Sequence, residues 1–296
     1  MGNLLPPLHR GATVNVMTRW TQVQGWDALE RTRASLLVGN PTLLTEVLIE
    51  SRRRGGAPRR LRLGLSGGGK RAWRDELRLP LVESYGQSEL GGFMALGEPT
   101  LVAGDMFAPV GRPPPDKEVR ILDAGGKECA PGEVGEVCLR GGFMKGYWGK
   151  PEKTAETLRG GWLHSGDAGV MDRNGYVTVR GRFAELITVA GRTWFPRDVE
   201  EALCAQPSVK EAAVIALPDA QLGQRPIAYV TLADGAVGLD KLKAAIAPLL
   251  PYDLTAMTVR SLAAFPMTPT GKIAKAQLRQ SAMAGDGAQE FPRSSN

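Results

Sequence analysis

The alternation of strand-like and helix-like segments over the first 97 residues constrains the fold of this chain most strongly. Short apolar runs predict strands, and the patterns between them, one opening with a proline, predict helices. The predicted strands are 12–17, 35–40, 61–68 and 81–86, and the predicted helices are 25–34 and 41–53. Such alternation favours a parallel or mostly parallel sheet, with ligands at the carboxyl ends of its strands.

The pattern then changes twice along the chain. Short strands with glycine-containing turn signals between 98 and 181 predict a small antiparallel sheet or barrel. Helices and strands alternate again over 182–284, which predicts a compact α+β domain large enough for its own core. The tail 285–296 is predicted to be disordered.

Several classes of protein are disfavoured by composition. No apolar run approaches the roughly 18 residues of a membrane helix, and the N-terminus lacks the pattern of a secretory signal. Three cysteines (Cys129, Cys138 and Cys204) are too few for a disulfide framework and have no zinc-site spacing. Because the chain has just two histidines, a histidine-based metal cage is not expected. We therefore predict a cytoplasmic protein with no membrane span.

The net charge of +6 permits an anionic ligand without requiring nucleic acid. The densest basic stretch is RRRGGAPRRLR, from Arg52 to Arg62. A nucleic-acid surface would usually interleave aromatic residues with such a run. We therefore interpret it as a solvated helix end and loop, and we expect no nucleic-acid partner.

Two segments near the predicted strand ends could contact a nucleotide. SGGG at 66–69 would let a backbone approach a flat ligand, since glycine has no side chain. In YGQSE at 85–89, the tyrosine can stack on a purine, and the Ser–Glu pair offers a phosphate donor and a Mg²⁺ ligand. Taken singly, both segments also fit turn glycines, a structural tyrosine and a surface glutamate.

Three later segments carry single polar residues in constrained surroundings. Asp167 lies between glycines in GWLHSGDAG, where a carboxylate could accept hydrogen bonds from ribose hydroxyls. Arg182 is the second residue of GRFAELITVAGR, at a predicted domain boundary, and Lys272 lies in FPMTPTGKIAKAQLR before an amphipathic helix. Taken alone, each also fits a turn, a linker or a solvated charge.

In this order and spacing, the segments resemble the adenylate-forming superfamily of acyl-CoA synthetases, peptide-synthetase adenylation domains and luciferase-like enzymes. YGQSE is similar to its Tyr-Gly-x-Thr/Ser-Glu motif, GEVGEVCLRG to its Gly-Glu strand, and WLHSGD to its Thr/Ser-Gly-Asp motif. GRFAELITVAGR resembles its hinge, and PTGKIAKAQLR its C-terminal Gly-Lys motif.

The resemblance extends to about residue 284 and implies an α/β fold with three structural regions. Residues 1–97 would be the C-terminal part of a large mixed-sheet adenylation domain. Residues 98–181 would form a small β-barrel-like subdomain. Residues 182–284 would be a complete and mobile small α+β domain.

The resemblance also implies a reaction and its cofactors. A carboxylic acid would attack the α-phosphate of ATP with Mg²⁺ bound, and a thiol, most often coenzyme A, would then attack the acyl-adenylate. The small domain would swing about the hinge between these half-reactions.

Site residues follow from the same resemblance. Those for the nucleotide would be Ser66, Gly67, Gly68, Tyr85 and Gly86 around the adenine, Ser88 at the α-phosphate, Glu89 at Mg²⁺, and Asp167 and Arg182 at the ribose. Lys272 would enter from the small domain during the first half-reaction, and the face carrying Gly191 would replace it in the second. The residues near Gly91 to Met94 (GGFM) are expected to face the acyl chain, and Phe93 and Met94 indicate an apolar group.

The sequence departs from the family pattern at several positions. Ala184 occupies the hinge position that usually holds Asp or Lys, and Thr188 stands where many members have lysine. The family's phosphate-gripping loop, rich in Ser, Thr and Gly and ending in Pro-Lys-Gly, does not occur in this sequence.

We therefore expect a truncated coenzyme A ligase that lacks the N-terminal half and is inactive alone. The alternative is a non-catalytic or split-partner fragment that associates with an N-terminal fragment or with itself. A carrier-linked module is disfavoured, because no carrier domain follows the Lys272 motif.

Overall fold

The computed structural model describes residues 5–66, 73, 76–97, 109–233, 237–268 and 272–284. The chain clusters into two compact units, Met1–Arg180 and Gly181–Asn296. The predictions for Gly67, Gly68 and the tail 285–296 lie outside the described residues. The finer division of the chain at residue 97 remains a prediction.

The helices are short and mostly begin with a proline or a polar cap. Those of the first unit are α1 (Leu5–His9), α2 (Gln22–Thr32), α3 (Pro41–Arg54) and α4 (Pro151–Thr157). Those of the second unit are α5 (Pro196–Cys204), α6 (Leu239–Ile246) and α7 (Lys275–Met283). None of the helices in the described ranges is long and apolar enough to cross a membrane.

Strands belong to three sheets, listed here in chain order. The first sheet contains β1 (Leu36–Val38), β2 (Leu63–Ser66), β3 (Leu81–Gln87) and β4 (Gly92–Leu96). The second contains β5 (Glu118–Leu122), β6 (Gly135–Arg140), β7 (Leu158–Arg159), β8 (Trp162–Met171) and β9 (Val177–Arg182). The third contains β10 (Ile187–Val189), β11 (Arg192–Trp194), β12 (Val209–Asp219), β13 (Gly223–Leu232) and β14 (Thr258–Ser261).

The first sheet has the predicted, mostly parallel topology. β1, β2 and β3 are parallel neighbours, and β4 adds an antiparallel edge to β3. The apolar faces of α2 and α3 contribute to a core beneath this sheet, whose buried members include Trp26, Leu44, Leu48, Trp73 and Leu81. The carboxyl ends of β2 and β3 therefore lie side by side, where the sequence places SGGG and YGQSE.

The strand predicted at 12–17 is wrong, because this segment has irregular backbone. Its alternating valines do not face a core: the side chain of Val16 is 74% exposed. No strand of the described residues pairs with it. Alternation of apolar residues predicts a strand only where another strand or a core covers one face.

Helix α3 shows the local signals that define its ends. The Asn40 side chain caps the first turn by accepting a hydrogen bond from the backbone N–H of Leu43 at 2.8 Å, and Gly55 ends the helix in the left-handed conformation. The basic run that begins in the last turn of this helix is partly paired, since Arg53 and Arg54 both donate to the buried carboxylate of Glu50. Burial would raise the pKa of Glu50, but these hydrogen bonds outweigh it and lower the pKa.

The second sheet is antiparallel, as predicted for this region. Its order is β5-β6-β8-β7, with β9 on the other side of β8. One apolar cluster contains side chains from β4, β5, β6, β8 and β9, including Met94, Ile121, Leu139, Leu163 and Val179. This shared core fixes the first two sheets against each other within the first unit.

The second unit is built on the third sheet, in the order β11-β10-β13-β12 with β14 parallel to β13. Helix α7 packs on it through Leu278, which joins a core with Ile215, Ile227 and Phe265. The predicted alternation of helices and strands over 182–284 is confirmed. The expected α/β class of fold is therefore confirmed.

Candidate nucleotide site

Strand β3 ends in the YGQSE segment, and its geometry sets the first part of the site. The pairing of β3 with β4 is irregular between Tyr85 and Gly86, which bends the strand at this point. The chain then turns through a short 3₁₀ helix, Ser88–Leu90. Gly86 and Ser88 are exposed here, whereas Tyr85 and Glu89 are half-buried.

A bulge in β8 presents the second part of the site. His164 pairs with Cys138 and Ala168 pairs with Glu136, so three residues of β8 face one residue of β6. Gly166 within the bulge has φ of 72°, a left-handed conformation that glycine adopts at low cost. Its N–H donates to Oε1 of Glu136 at 2.9 Å. The bulge thereby redirects Asp167, whose own N–H donates to the Ser165 hydroxyl at 3.0 Å.

The two parts meet at the Asp167 carboxylate, which is 6% exposed. The Tyr85 hydroxyl donates to Oδ2 of Asp167 at 2.6 Å, and Nε2 of Gln87 donates to the same oxygen at 3.2 Å. Burial, followed by the charge of Asp167, raises the pKa of Tyr85. The phenol therefore stays protonated and acts as a donor.

The Glu89 carboxylate is fixed from one side. The Tyr147 hydroxyl donates to Oε1 of Glu89 at 2.8 Å, and the backbone oxygen of Glu89 accepts from the N–H of Met144 at 2.6 Å. Among the described residues, no hydrogen bond reaches the other carboxylate oxygen of Glu89. A half-buried carboxylate with one oriented oxygen and one available oxygen suits Mg²⁺, which prefers oxygen ligands.

Ser66 ends β2 beside Glu83 of β3. Ser66 is 1% exposed, and its hydroxyl oxygen has no hydrogen-bond partner in the described part of the chain. Buried hydroxyls are nearly always paired, so this atom is a candidate ligand contact. Met94, by contrast, is fully buried in the shared core, so the expectation that it faces an acyl chain is wrong.

Three predicted residues belong to the second unit. Arg182 is exposed at the end of β9. Gly191 forms, with Ala190, the two-residue turn between β10 and β11, and both have positive φ. Lys272 is exposed, and its N–H donates to the Thr268 hydroxyl at 3.1 Å.

Sequence reasoning missed Gln87, Tyr147 and Glu136. Gln87 lies inside YGQSE, so its position in the motif could have identified it. Tyr147 reaches Glu89 across 58 residues of sequence, and Glu136 reaches Gly166 across 30. No local pattern in the sequence reports such contacts.

Comparison with known proteins identifies the family. Residues 1–148 match the model of the AMP-binding enzyme family, and residues 198–272 match that of the AMP-binding enzyme C-terminal domain. The chain is 33% identical over 283 residues to a feruloyl-CoA synthase of Amycolatopsis sp., covering 93% of this chain and 57% of that protein. It is 36% identical over 213 residues to the fatty acid–[acyl-carrier-protein] ligase ScoC of Streptomyces coeruleorubidus, covering 67% of this chain and 39% of ScoC.

A solved structure gives the same result. The anthranilate CoA ligase AuaEII, in complex with anthranoyl-AMP, superposes with a TM-score of 0.84 at 25% identity. The alignment covers 96% of this chain and 57% of that one. The chain thus spans 57% of the length of the feruloyl-CoA synthase and of AuaEII, and 39% of the length of ScoC. On these matches, the chain belongs to the adenylate-forming superfamily of AMP-binding enzymes, of the acyl-CoA synthetase type.

Proposed function

We propose that this chain carries the adenylation site of a carboxylic acid:coenzyme A ligase. The reaction joins the acid to AMP at the expense of ATP, and then transfers the acyl group to the thiol of coenzyme A. The observation that carries the proposal is the hydrogen bond from Tyr85 to Asp167, because it joins the two motif segments assigned to one nucleotide. The names of the relatives, which include CoA and acyl-carrier-protein ligases, support the same chemistry.

The nucleotide would bind where β2, β3 and the β8 bulge meet. The Ser66 hydroxyl and the backbone of Gly67 and Gly68 would approach the adenine, with Tyr85 and Gly86 beside it. Ser88 would donate to the α-phosphate, and Asp167 would accept from the ribose hydroxyls. The carboxyl ends of parallel strands are where such α/β sheets bind their ligands.

Mg²⁺ would be held by the available oxygen of Glu89, while Tyr147 keeps that carboxylate in place. The ion supplies positive charge where negative charge accumulates on the phosphates. Because the reaction is a displacement at a crowded phosphorus, positioning and electrostatics account for most of the expected catalysis.

The family resemblance assigns two cationic residues of the second unit to the same reaction. Arg182 would act at the ribose, and Lys272 would approach the reacting atoms during acyl-adenylate formation. The face that carries Gly191 would act during thioester formation. Ala184 at the hinge position lacks the polar side chain usual in the family, so the domain movement would depend on neighbouring contacts such as that of Glu185.

Isotope exchange between pyrophosphate and ATP tests the first half-reaction. The purified chain is assayed with a panel of aromatic and aliphatic acids, and thioester formation is then followed with coenzyme A and with a carrier protein. We expect no exchange from the chain alone, because its sequence lacks the family's phosphate-gripping loop. In a full-length reconstruction that supplies this loop, we expect exchange with at least one acid, a large loss in Lys272→Ala and Asp167→Asn, and full activity in the control Lys241→Ala. No exchange with any acid in the reconstruction would refute the proposed function. Exchange that survives Asp167→Asn would refute the assigned site.

A further inference from the structure

Three potential metal ligands of different chemistry converge on the outer side of the β6–β8 pair. Cys138 and His164 are direct cross-strand partners, and Sγ of Cys138 lies 3.3 Å from Nδ1 of His164. Oε2 of Glu136 lies 2.7 Å from the same Nδ1. The three ligand atoms are all within 4.8 Å of one another.

These side chains are held in place and largely removed from solvent. Cys138 is fully buried, and the side chains of His164 and Glu136 are 10% and 19% exposed. Leu122 and Trp162 form a small apolar cluster with Cys138.

A single imidazole nitrogen cannot satisfy both neighbours. If Nδ1 carries the proton, it donates well to Glu136, and the thiol gains at most a weak, shared contact. If the thiol donates to Nδ1, two acceptors face each other at 2.7 Å. A cation in place of the proton resolves this conflict, since sulfur, nitrogen and oxygen would each direct a lone pair at one centre.

We propose that Glu136, Cys138 and His164 form a binding site for a borderline-soft divalent cation, with Zn²⁺ as the natural occupant. Zinc takes Cys sulfur at about 2.3 Å and His nitrogen or carboxylate oxygen at about 2.0–2.2 Å, commonly with three protein ligands and one water. Binding releases the thiol proton to solvent, so the bound sulfur is a thiolate.

Three arginines lie beside this cluster. Nη2 of Arg159 lies 3.3 Å from Oε2 of Glu136, and its Nη1 donates to the Glu156 carbonyl oxygen at 2.6 Å. A bound cation would replace the Nη2 contact at Oε2, and because the Arg159 side chain is 52% exposed, solvent can hydrate the released group. The guanidinium groups of Arg120 and Arg140 lie over the Trp162 ring, at 5.1 and 4.3 Å from its centroid. Both guanidinium groups therefore contact the aromatic ring beside the cluster.

The site is distinct from the proposed Mg²⁺ position at Glu89. It is connected to the nucleotide pocket through Glu136, whose other oxygen accepts the N–H of Gly166 in the bulge that carries Asp167. The prediction that the cysteines form no metal site rested on spacing along the chain. Cys138 and His164 are 26 residues apart, and only strand pairing brings them together.

Cobalt absorption tests the site without any activity assay. Co²⁺ is titrated into the full 296-residue chain under reducing, oxygen-free conditions. We expect saturable binding of one ion, with a thiolate-to-cobalt charge-transfer band and the intense visible bands of tetrahedral cobalt, both abolished by Zn²⁺. Absence of these bands in the unmodified chain would overturn the proposal.

Matched variants locate the ligands. Cys138→Ser should lose the charge-transfer band, and His164→Gln and Glu136→Gln should weaken Co²⁺ binding by at least about tenfold. The controls Cys129→Ser and His9→Gln replace the other cysteine of the first unit and the other histidine, and should bind normally. Circular dichroism verifies that each variant is folded. If Cys138→Ser does not fold, the two glutamine variants decide, and unchanged binding in both would refute the site.

Discussion

Tyr85 and Asp167 are 82 residues apart in the chain, yet the Tyr85 hydroxyl donates a 2.6 Å hydrogen bond to the Asp167 carboxylate. The contact joins the end of a parallel strand in the first sheet to a bulge in the second. Gln87 donates to the same oxygen, so the carboxylate is held in one orientation before any ligand binds. Preorganisation of this kind is what a site for a polyhydroxylated ligand requires.

Replacement of Tyr85 by phenylalanine should destabilise the protein in a pH-dependent way. The loss of a hydrogen bond to a charged group is expected to cost about 1.5–3 kcal/mol near neutral pH. The pKa of Tyr85 in the folded protein is raised above its ordinary value of 10.0. The stabilisation that the protonated Tyr85 provides is therefore complete below pH 10.0. It is lost as the pH rises above this value, because the phenol ionises in the unfolded chain before it ionises in the folded one.

Urea unfolding of wild type and Tyr85→Phe across neutral and alkaline pH measures this difference. The difference between their free energies of unfolding should become smaller above about pH 10. The double variant with Asp167→Asn should show that the two effects are not additive. A difference in unfolding free energy that does not change with pH would contradict the hydrogen bond between Tyr85 and Asp167. Fully additive effects of the two substitutions would also contradict it.

Tyr147→Phe should weaken the binding of Mg²⁺–ATP. The hydroxyl of Tyr147 orients the Glu89 carboxylate, and loss of such an outer partner typically costs about 10–100-fold in metal affinity. Isothermal calorimetry with ATP at varied Mg²⁺ provides the measurement. Metal-free ATP should bind equally well to both proteins, and an equal loss for metal-free ATP would indicate general damage to the pocket.

The cysteines of the first unit should differ in reactivity. Burial raises the pKa of Cys138 to about 12. Cys129 is only partly buried, so an alkylating reagent reaches it more readily. Because the thiolate is the reactive form, Cys129 should be alkylated at least about tenfold faster near pH 8. The measurement uses chelator-treated protein with Cys204→Ser, leaving two thiols to be resolved by mass spectrometry. Equal rates in the native state would contradict the buried position of Cys138.

The sequence predicted secondary structure well where the apolar pattern and the capping signals agreed. Helix α3 has a polar residue before a first-turn proline and a glycine after its last turn, and its predicted start is correct. The segment 12–17 has an alternating pattern but no covering layer, and the strand predicted there is absent. Whether a neighbour exists is a property of the tertiary fold, which local pattern does not report.

The candidate site shows the same division. The motif positions of Tyr85 and Asp167 were available from the sequence, but their direct hydrogen bond was not. Tyr147 and Glu136 were missed because their partners lie far away in sequence. Met94 was expected at the acyl pocket, but its place on β4 directs it into the shared core.

A half-buried lysine of the second unit gives the last prediction. Nζ of Lys275 lies 2.5 Å from Oε2 of Glu185 and 2.8 Å from Oε1 of Glu200, and its side chain is 23% exposed. Burial alone would lower the pKa of Lys275, but the charges of Glu200 and Glu185 outweigh it and raise the pKa. Lys275 thus fastens the start of α7 to α5 and to the segment that contains Ala184.

Lys275→Met should therefore cost about 1–3 kcal/mol of stability, because it leaves two carboxylates together without their cation. This contribution is complete below the ordinary lysine pKa of 10.5 and is lost as the pH rises through the higher folded value. Urea unfolding at neutral and alkaline pH measures both statements, with the exposed Lys241→Met on α6 as the control. We expect the control to change stability by less than about 0.5 kcal/mol. Equal effects of the two substitutions at neutral pH would show that the cluster of Lys275, Glu185 and Glu200 does not stabilise the second unit.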